Sequence, residues 1–142
     1  MNPELKLVMF EERNVLQNLL ELLDKQHKAI VSKDLFGLEK LIASIEAEGK
    51  KLASIEIKRR NLVKEDSFSK AIENSKDDHV KEAYEDIKVI LKNLELQKST
   101  NDTLIKQNLF FTNKMINVIK PSKSAGTYNS YGRTRSLLTL MV

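Results

Sequence analysis

The chain carries few groups that could do chemistry on a substrate. His27 and His79 are its only imidazoles, and each lacks the pair of further ligands at helical spacing that a zinc site needs. Both read as solvated surface residues. Cysteine is absent, which excludes a thiol nucleophile, a zinc–thiolate site and a disulfide framework. There is no glycine-rich phosphate loop, and the carboxylates are scattered over polar faces. The "KRR" at 58–60 reads as a solvated face plus one residue, Arg59, on an apolar seam. No cofactor is expected, and an enzyme is the least supported class.

The polar residues with informative spacing are amides and phenols. Asn101 and Asn108 stand one heptad apart on an apolar seam. Two readings are open for them: register control, as a buried asparagine sets coiled-coil pairing, or polar anchors beside a partner groove. Tyr128 and Tyr131 lie in "GTYNSYGRT", residues 126–134, which has no acidic residue and follows a long stretch with helical periodicity.

The elements that must position these groups are long helices. Asn2-Pro3 reads as an N-cap with proline at the first helical position. The first seam is Leu5, Met9, Glu12, Leu16, Leu19, Leu23, Gln26, Ile30, flanked by Val8, Val15, Leu22 and Ala29. A stripe of that width suits a helix inside a bundle. Asp34 offers the next cap. The second seam is Leu38, Leu41, Ile45, Glu48, Leu52, Ile55, Arg59, Leu62, with Gly37 and Gly49 as weak spots. A polar connector follows, with one short helical turn around Phe68–Ile72. Ser75 with Asp78 resembles a capping box. The third seam runs Val80, Tyr84, Ile87, Leu91, Leu94, Lys98, Asn101, Ile105, Asn108, and no breaker occurs before Pro121. The expected architecture is all-α, an antiparallel up-down-up bundle of coiled-coil-like helices over 1–120, with a flexible basic tail over 121–142.

Helix lengths point to a binding surface. At the helical rise the first two helices, about 3–31 and 35–64, are roughly 44–45 Å long, and the third, about 76–120, roughly 67 Å. The third should overshoot the others by roughly 22 Å. The overshoot, "KQNLFFTNKMINVIK", holds Leu109, Phe110, Phe111, Met115, Ile116, Val118 and Ile119 around most of a helical circumference. An apolar surface of that kind marks a partner site. Phe110, Phe111, Met115, Ile116 and Ile119, with Asn101, Ile105 and Asn108, form the expected cargo-binding set.

Charge distribution narrows the partner. From Lys120 onward there are four basic residues (Lys120, Lys123, Arg133, Arg135) and no acidic ones, so the preceding residues sum to zero. A neutral body argues against nucleic acid, which wants basic residues clustered on a folded surface. The N-terminus is acidic by Glu11 and does not read as a secretory signal. No apolar run reaches the roughly 18–20 residues of a membrane span. A cytoplasmic protein without membrane insertion is expected, and a homodimer is one arrangement the seams permit. The role of the final apolar run, "SLLTLMV", is left open.

Three stretches resemble the FlgN family of flagellar type III export chaperones. "LLELLDKQHKAIVSKDLFGLEKLIASIEAEGKKLASIEIKRRNL" is similar to that family's first two helices. "NLELQKSTNDTLIKQNL" is similar to its last helix, and "VIKPSKSAGTYNSYGR" to its tail, with a lysine-proline stop, a tyrosine and a glycine four residues on. The resemblance implies binding of the C-terminal segments of the hook-filament junction proteins FlgK and FlgL. It also implies delivery to the cytoplasmic domain of the export-gate protein FlhA. The docking residues it implies are Tyr128 and Gly132. Tyr131 and Arg133 stand beside them; this chain reads Tyr128-Asn129 where relatives read Tyr-Gly. The competing readings are a generic helical coiled-coil adaptor and a basic helical nucleic-acid-binding protein.

Overall fold

The computed structural model describes residues 2–63 and 65–107. Four helices follow in order: α1, Pro3–Val31; α2, Leu35–Leu62; α3, Glu65–Glu73; and α4, Asp78–Gln107. No strand occurs among the described residues, and the protein is all-α.

The local sequence explains where the helices start and stop. Asn2 Oδ1 accepts a hydrogen bond from the Glu4 amide at 2.9 Å, with Pro3 opening the helix. At the other end of α1 the Asp34 amide reaches back to the Ala29 carbonyl and the Lys33 amide to Ile30. This double bond pattern is a Schellman closure, which needs a left-handed residue at its corner. That residue is Lys33, at φ 59°, where glycine would be unstrained. Asp34 then caps α2 by accepting from the Gly37 amide at 2.9 Å. Gly37 is more than a weak spot in the seam. A Cβ there would lie 2.4 Å from Asp34 Oδ2, so any larger residue obliges the capping carboxylate to shift.

Residue pairings give the topology. Along α1, Lys6 meets Asp77, Arg13 meets Asp86 and Gln26 meets Asn101. The numbers rise together, so α1 and α4 are parallel. Glu12 meets Arg59, near the far end of α2, so α2 runs antiparallel to both. The bundle is up-down-up, with α1 at its centre: α2 and α4 each pack along α1, while their backbones hardly approach one another. The expected seam residues of α1 are buried, including Glu12 and Gln26. In α2, Leu38, Ile45, Leu52, Ile55 and Arg59 are buried, but Leu41 and Leu62 only partly so. In α4, Tyr84 and Lys98 are half-buried, and Ala83 and Ile90 take core positions instead.

Two local readings need correction. The polar connector holds a nine-residue helix, α3, rather than a single turn. Its Phe68 and Ile72, one helical turn apart, are buried in the main core. The cap of α4 is Asp77, not Ser75: Asp77 Oδ1 accepts from the His79 amide at 2.9 Å, while Ser75 Oγ accepts from the Asp77 amide.

The extension of the last helix to Lys120 and the tail from 121 lie outside the described residues.

Candidate functional site

The end of the bundle where α1 stops, α2 begins and α4 leaves the described region is the candidate site. A polar layer sets its inner boundary. Asn101 is fully buried. Its Nδ2 donates to the Leu23 carbonyl at 3.0 Å and to Gln26 Oε1 at 2.9 Å. Its Oδ1 accepts from Gln97 Nε2 at 2.9 Å. Every hydrogen-bonding atom of the amide is thus used, and the bond to α1 backbone locks α4 in register. A one-turn slip would leave these groups buried and unpaired, at about 1–3 kcal/mol each. Of the two readings of Asn101, register control is the one its geometry performs.

Below that layer is a small apolar cluster of Ala29, Ile30, Leu38 and Ile105, with Leu35, Leu41 and Leu104 partly buried against it. It is separate from the main core, which fills the rest of the bundle. Five residues beyond Gln26, α1 ends at Val31; five beyond Asn101 is Lys106. The described part of α4 therefore finishes level with the end of α1. Val31 is 63% exposed and Phe36 is 68% exposed at this end, with Lys40 Nζ 4.5 Å from the Phe36 ring centroid.

Of the expected cargo-binding residues, the structure places Asn101 in the polar layer and Ile105 in the small cluster, both with side chains turned into the bundle. Asn108, Phe110, Phe111, Met115, Ile116 and Ile119 lie outside the described residues. So do Tyr128, Tyr131, Gly132 and Arg133.

The opposite end holds a charge cluster that the seam pattern marked only as odd positions. Glu12 and Arg59 are buried, with Arg59 Nε 3.5 Å from Glu12 Oε1. Glu56, also buried, pairs with Arg60. The Arg59 guanidinium lies over the Phe68 ring, 4.8 Å from its centroid. That contact ties α3 to α2, and Phe68 meets Tyr84 of α4 edge-on at 5.8 Å. Burial pushes the Glu12 carboxyl up to about 7; Arg59 opposes this and Glu56 adds to it. Asp77 is held below the usual carboxylate range, chiefly by its hydrogen bond from Lys6 and also by the α4 amides it caps. The signal for this cluster was present in sequence as Glu12 and Arg59 on apolar seams, and for α3 as the Phe68/Ile72 spacing in "SFSKAI".

A second surface feature runs between the parallel helices α1 and α4, on the side away from α2. It is a shallow groove, about 470 Å³ at the end nearer Asn101. Half-buried Leu20 and exposed Leu96 line that end with Glu21 and Asp24. Val89 and the Arg13–Asp86 pair line its continuation.

Among the described residues no group of three His, Asp or Glu side chains could hold a metal ion. His79 is exposed, whereas His27, expected to be solvated, is half-buried, with Nδ1 shielded and no hydrogen-bond partner among the described residues. No described helix is long and apolar enough to cross a membrane. What the described residues offer is helical surface: a register-locked bundle, one end thinly covered by them and an interhelical groove they do not fill. No curated protein and no solved structure matches the chain significantly. The family model for the FlgN protein matches residues 1–136, nearly the whole chain, and the protein belongs to the FlgN family of flagellar export chaperones.

Proposed function

We propose that the protein chaperones the hook-filament junction proteins FlgK and FlgL in the cytoplasm before export. An amphipathic C-terminal segment of the cargo lays its apolar face on residues 106–120, as helix-in-groove recognition does. Asn101 and Ile105 enter as the layer on which that surface is built, and Asn108, Phe110, Phe111, Met115, Ile116 and Ile119 as the surface itself. The loaded chaperone then docks on the cytoplasmic domain of the gate protein FlhA through its tail. Tyr128 is the anchor there, flanked by Tyr131, Gly132 and Arg133. A tyrosine suits that role because it offers a large ring and a polar tip at modest entropy cost.

The observation that supports this reading most is the level at which α4 meets the end of α1. If the chain after Lys106 continued along the same axis, it would have neither α1 nor α2 to pack on. That stretch is nonetheless rich in Leu, Ile, Phe and Met. Phe111→Gln with Ile116→Gln should abolish binding of junction-protein C-terminal segments in titration calorimetry, with helicity by circular dichroism nearly unchanged. Unfolding of the double variant would mean that these side chains are core, and unaltered cargo binding would move the site elsewhere. Tyr128→Ala should weaken docking to the gate domain by at least ~2 kcal/mol and leave cargo binding alone, with Tyr131→Ala costing less.

A further inference from the structure

The terminal run "SLLTLMV" is not used by the proposed function, and the groove between α1 and α4 is not used by the bundle. We propose that the two belong together: residues 137–142 of the chain dock in its own α1/α4 groove, with Arg135 against Glu21 and Asp24. This inference is independent of which cargo or gate the protein serves.

Three observations carry it. The first is apolar surface in the right place. Leu96 and Val89 are each 59% exposed one heptad apart on α4, and Leu20 on α1 is only half-buried between them. Exposed aliphatics aligned along an interhelical groove gain from a covering apolar segment, about 25 cal/mol for each Å² removed from water.

The second is charge. The groove end nearer Asn101 carries Glu21 and Asp24 and no cation of its own lining. Asp24 holds Lys28 at 3.3 Å, but that pair is well exposed, while Glu21 has no ion-pair partner among the described residues. The segment from 121 onward has Lys123, Arg133 and Arg135 and no acidic residue. Opposite charges at the rim fix register and favour encounter.

The third is length. From Asp24 to Arg13 along α1 is roughly 16 Å at the helical rise, and Leu137–Val142 spans about 20 Å when extended. A strand-like run entering at Asp24 and passing Leu20, Leu96 and Val89 fits that distance. The chain can get there. Even with residues 108–120 running outward as helix for roughly 20 Å, the return to Thr100 is about 30 Å. Residues 121–136 can cover about 50 Å. In this arrangement the Tyr128–Tyr131 stretch lies in the span between the end of α4 and the docked run, outside the groove. The run and the tyrosines therefore have separate places to bind.

The absence of cysteine allows a direct test in the full chain. Leu96→Cys with Leu138→Cys places one thiol in the groove and one in the run. Ile57→Cys with Leu138→Cys is the control, since Ile57 is also 59% exposed but lies on α2. A tethered segment without a preferred site samples both positions by linker statistics alone. The groove pair should close an intramolecular disulfide in oxidised glutathione about tenfold faster than the control pair, beyond what a random tether gives. Adding Glu21→Lys and Asp24→Lys should bring it down towards the control. Equal rates for the two pairs would overturn the proposal. Concentration-dependent dimers from the groove pair would also overturn it, because the groove would then hold the tail of a second copy. Hydrogen exchange of the cysteine-free parent is the independent check: amides of 137–142 should be protected, and Leu96→Asp should remove the protection. An unprotected run in the parent would sink the idea whatever the disulfide variants do.

Discussion

The two ends of the bundle are built differently. At the end where α1 starts, α3 packs on α4 and reaches α2 through Phe68. Phe68 and Ile72 are buried in the main core there, Arg59 bridges Glu12 and the Phe68 ring, and Lys6 holds the capping Asp77. At the other end a single amide layer around Asn101 separates the main core from a cluster with four buried members, one of them alanine. A fully buried large aliphatic side chain contributes about 1.5–3 kcal/mol, so the described residues of the second end add little cohesion. Among the described residues, buried apolar packing is concentrated at the end far from the proposed cargo surface. A binding surface can then be altered, or reordered by a partner, without unfolding the body that carries it.

Mutations can break or sharpen that contrast. The largest effect is expected at the closed end. Arg59→Met would leave the buried Glu12 without its guanidinium partner, with buried Glu56 still nearby to repel its charged form. The loss should be about 3–5 kcal/mol in urea denaturation. A loss below ~1 kcal/mol would mean that the cluster relaxes into water and that this end is not the stable one.

A pH titration addresses the same cluster. The Glu12 carboxyl has a folded value near 7, above its unfolded value of 4.5, so it binds its proton more tightly when folded. Its contribution is fully present below about pH 4.5 and is lost as the pH rises to about 7, on the order of 3 kcal/mol. Glu12→Gln should flatten that part of the stability profile. A slope that survives the substitution would have to come from another group.

Asn101→Ala tests the amide layer. It strands the Leu23 carbonyl's second bond and the Gln26 and Gln97 amides, and should cost ~1–2 kcal/mol. Asn101→Leu is the sharper variant: it should recover much of that stability while broadening the α4 amide resonances in NMR spectra, because register is no longer specified. A single sharp register in the leucine variant would mean that the apolar seam alone aligns α4. The smallest effect is expected at the joint. Lys33→Gly relieves a left-handed lysine and should raise stability by ~0.5–1 kcal/mol, partly offset by glycine's freedom in the unfolded chain.

Much of the bundle was legible in the residues. The α1 seam, the Asn2-Pro3 start and the Asp34 cap all follow from short-range rules, periodicity and capping, that a sequence displays directly. What was not legible depends on long-range pairing. The polar stretch around α3 looks like a connector because, among its described apolar residues, Phe68 and Ile72 are the buried ones. Ser75 and Asp77 are both good caps, and Asp77, which Lys6 on another helix also meets, takes the position. Arg59 and Glu12 could be seen to interrupt their seams, but not to interrupt them at the same level. Of the candidate site, the spacing of Asn101 from Asn108 was visible, whereas its partners Leu23 and Gln26 appear only once α1 and α4 are parallel.

The central position of α1 has a kinetic consequence. Since α2 and α4 touch α1 far more than each other, either can peel away while the remaining pair stays zipped. α1 loses its shelter only when both have gone. Openings that expose α2 or α4 should therefore be separate, cheaper events, and the exposure of α1 should require both together. In native-state hydrogen exchange, the amides at the middle of α1 should be the last to exchange, at a rate set by global unfolding. Those near the end of α4, beyond Asn101, should be among the first. Faster exchange in α1 than in α2 would mean that α2 and α4 hold together without it.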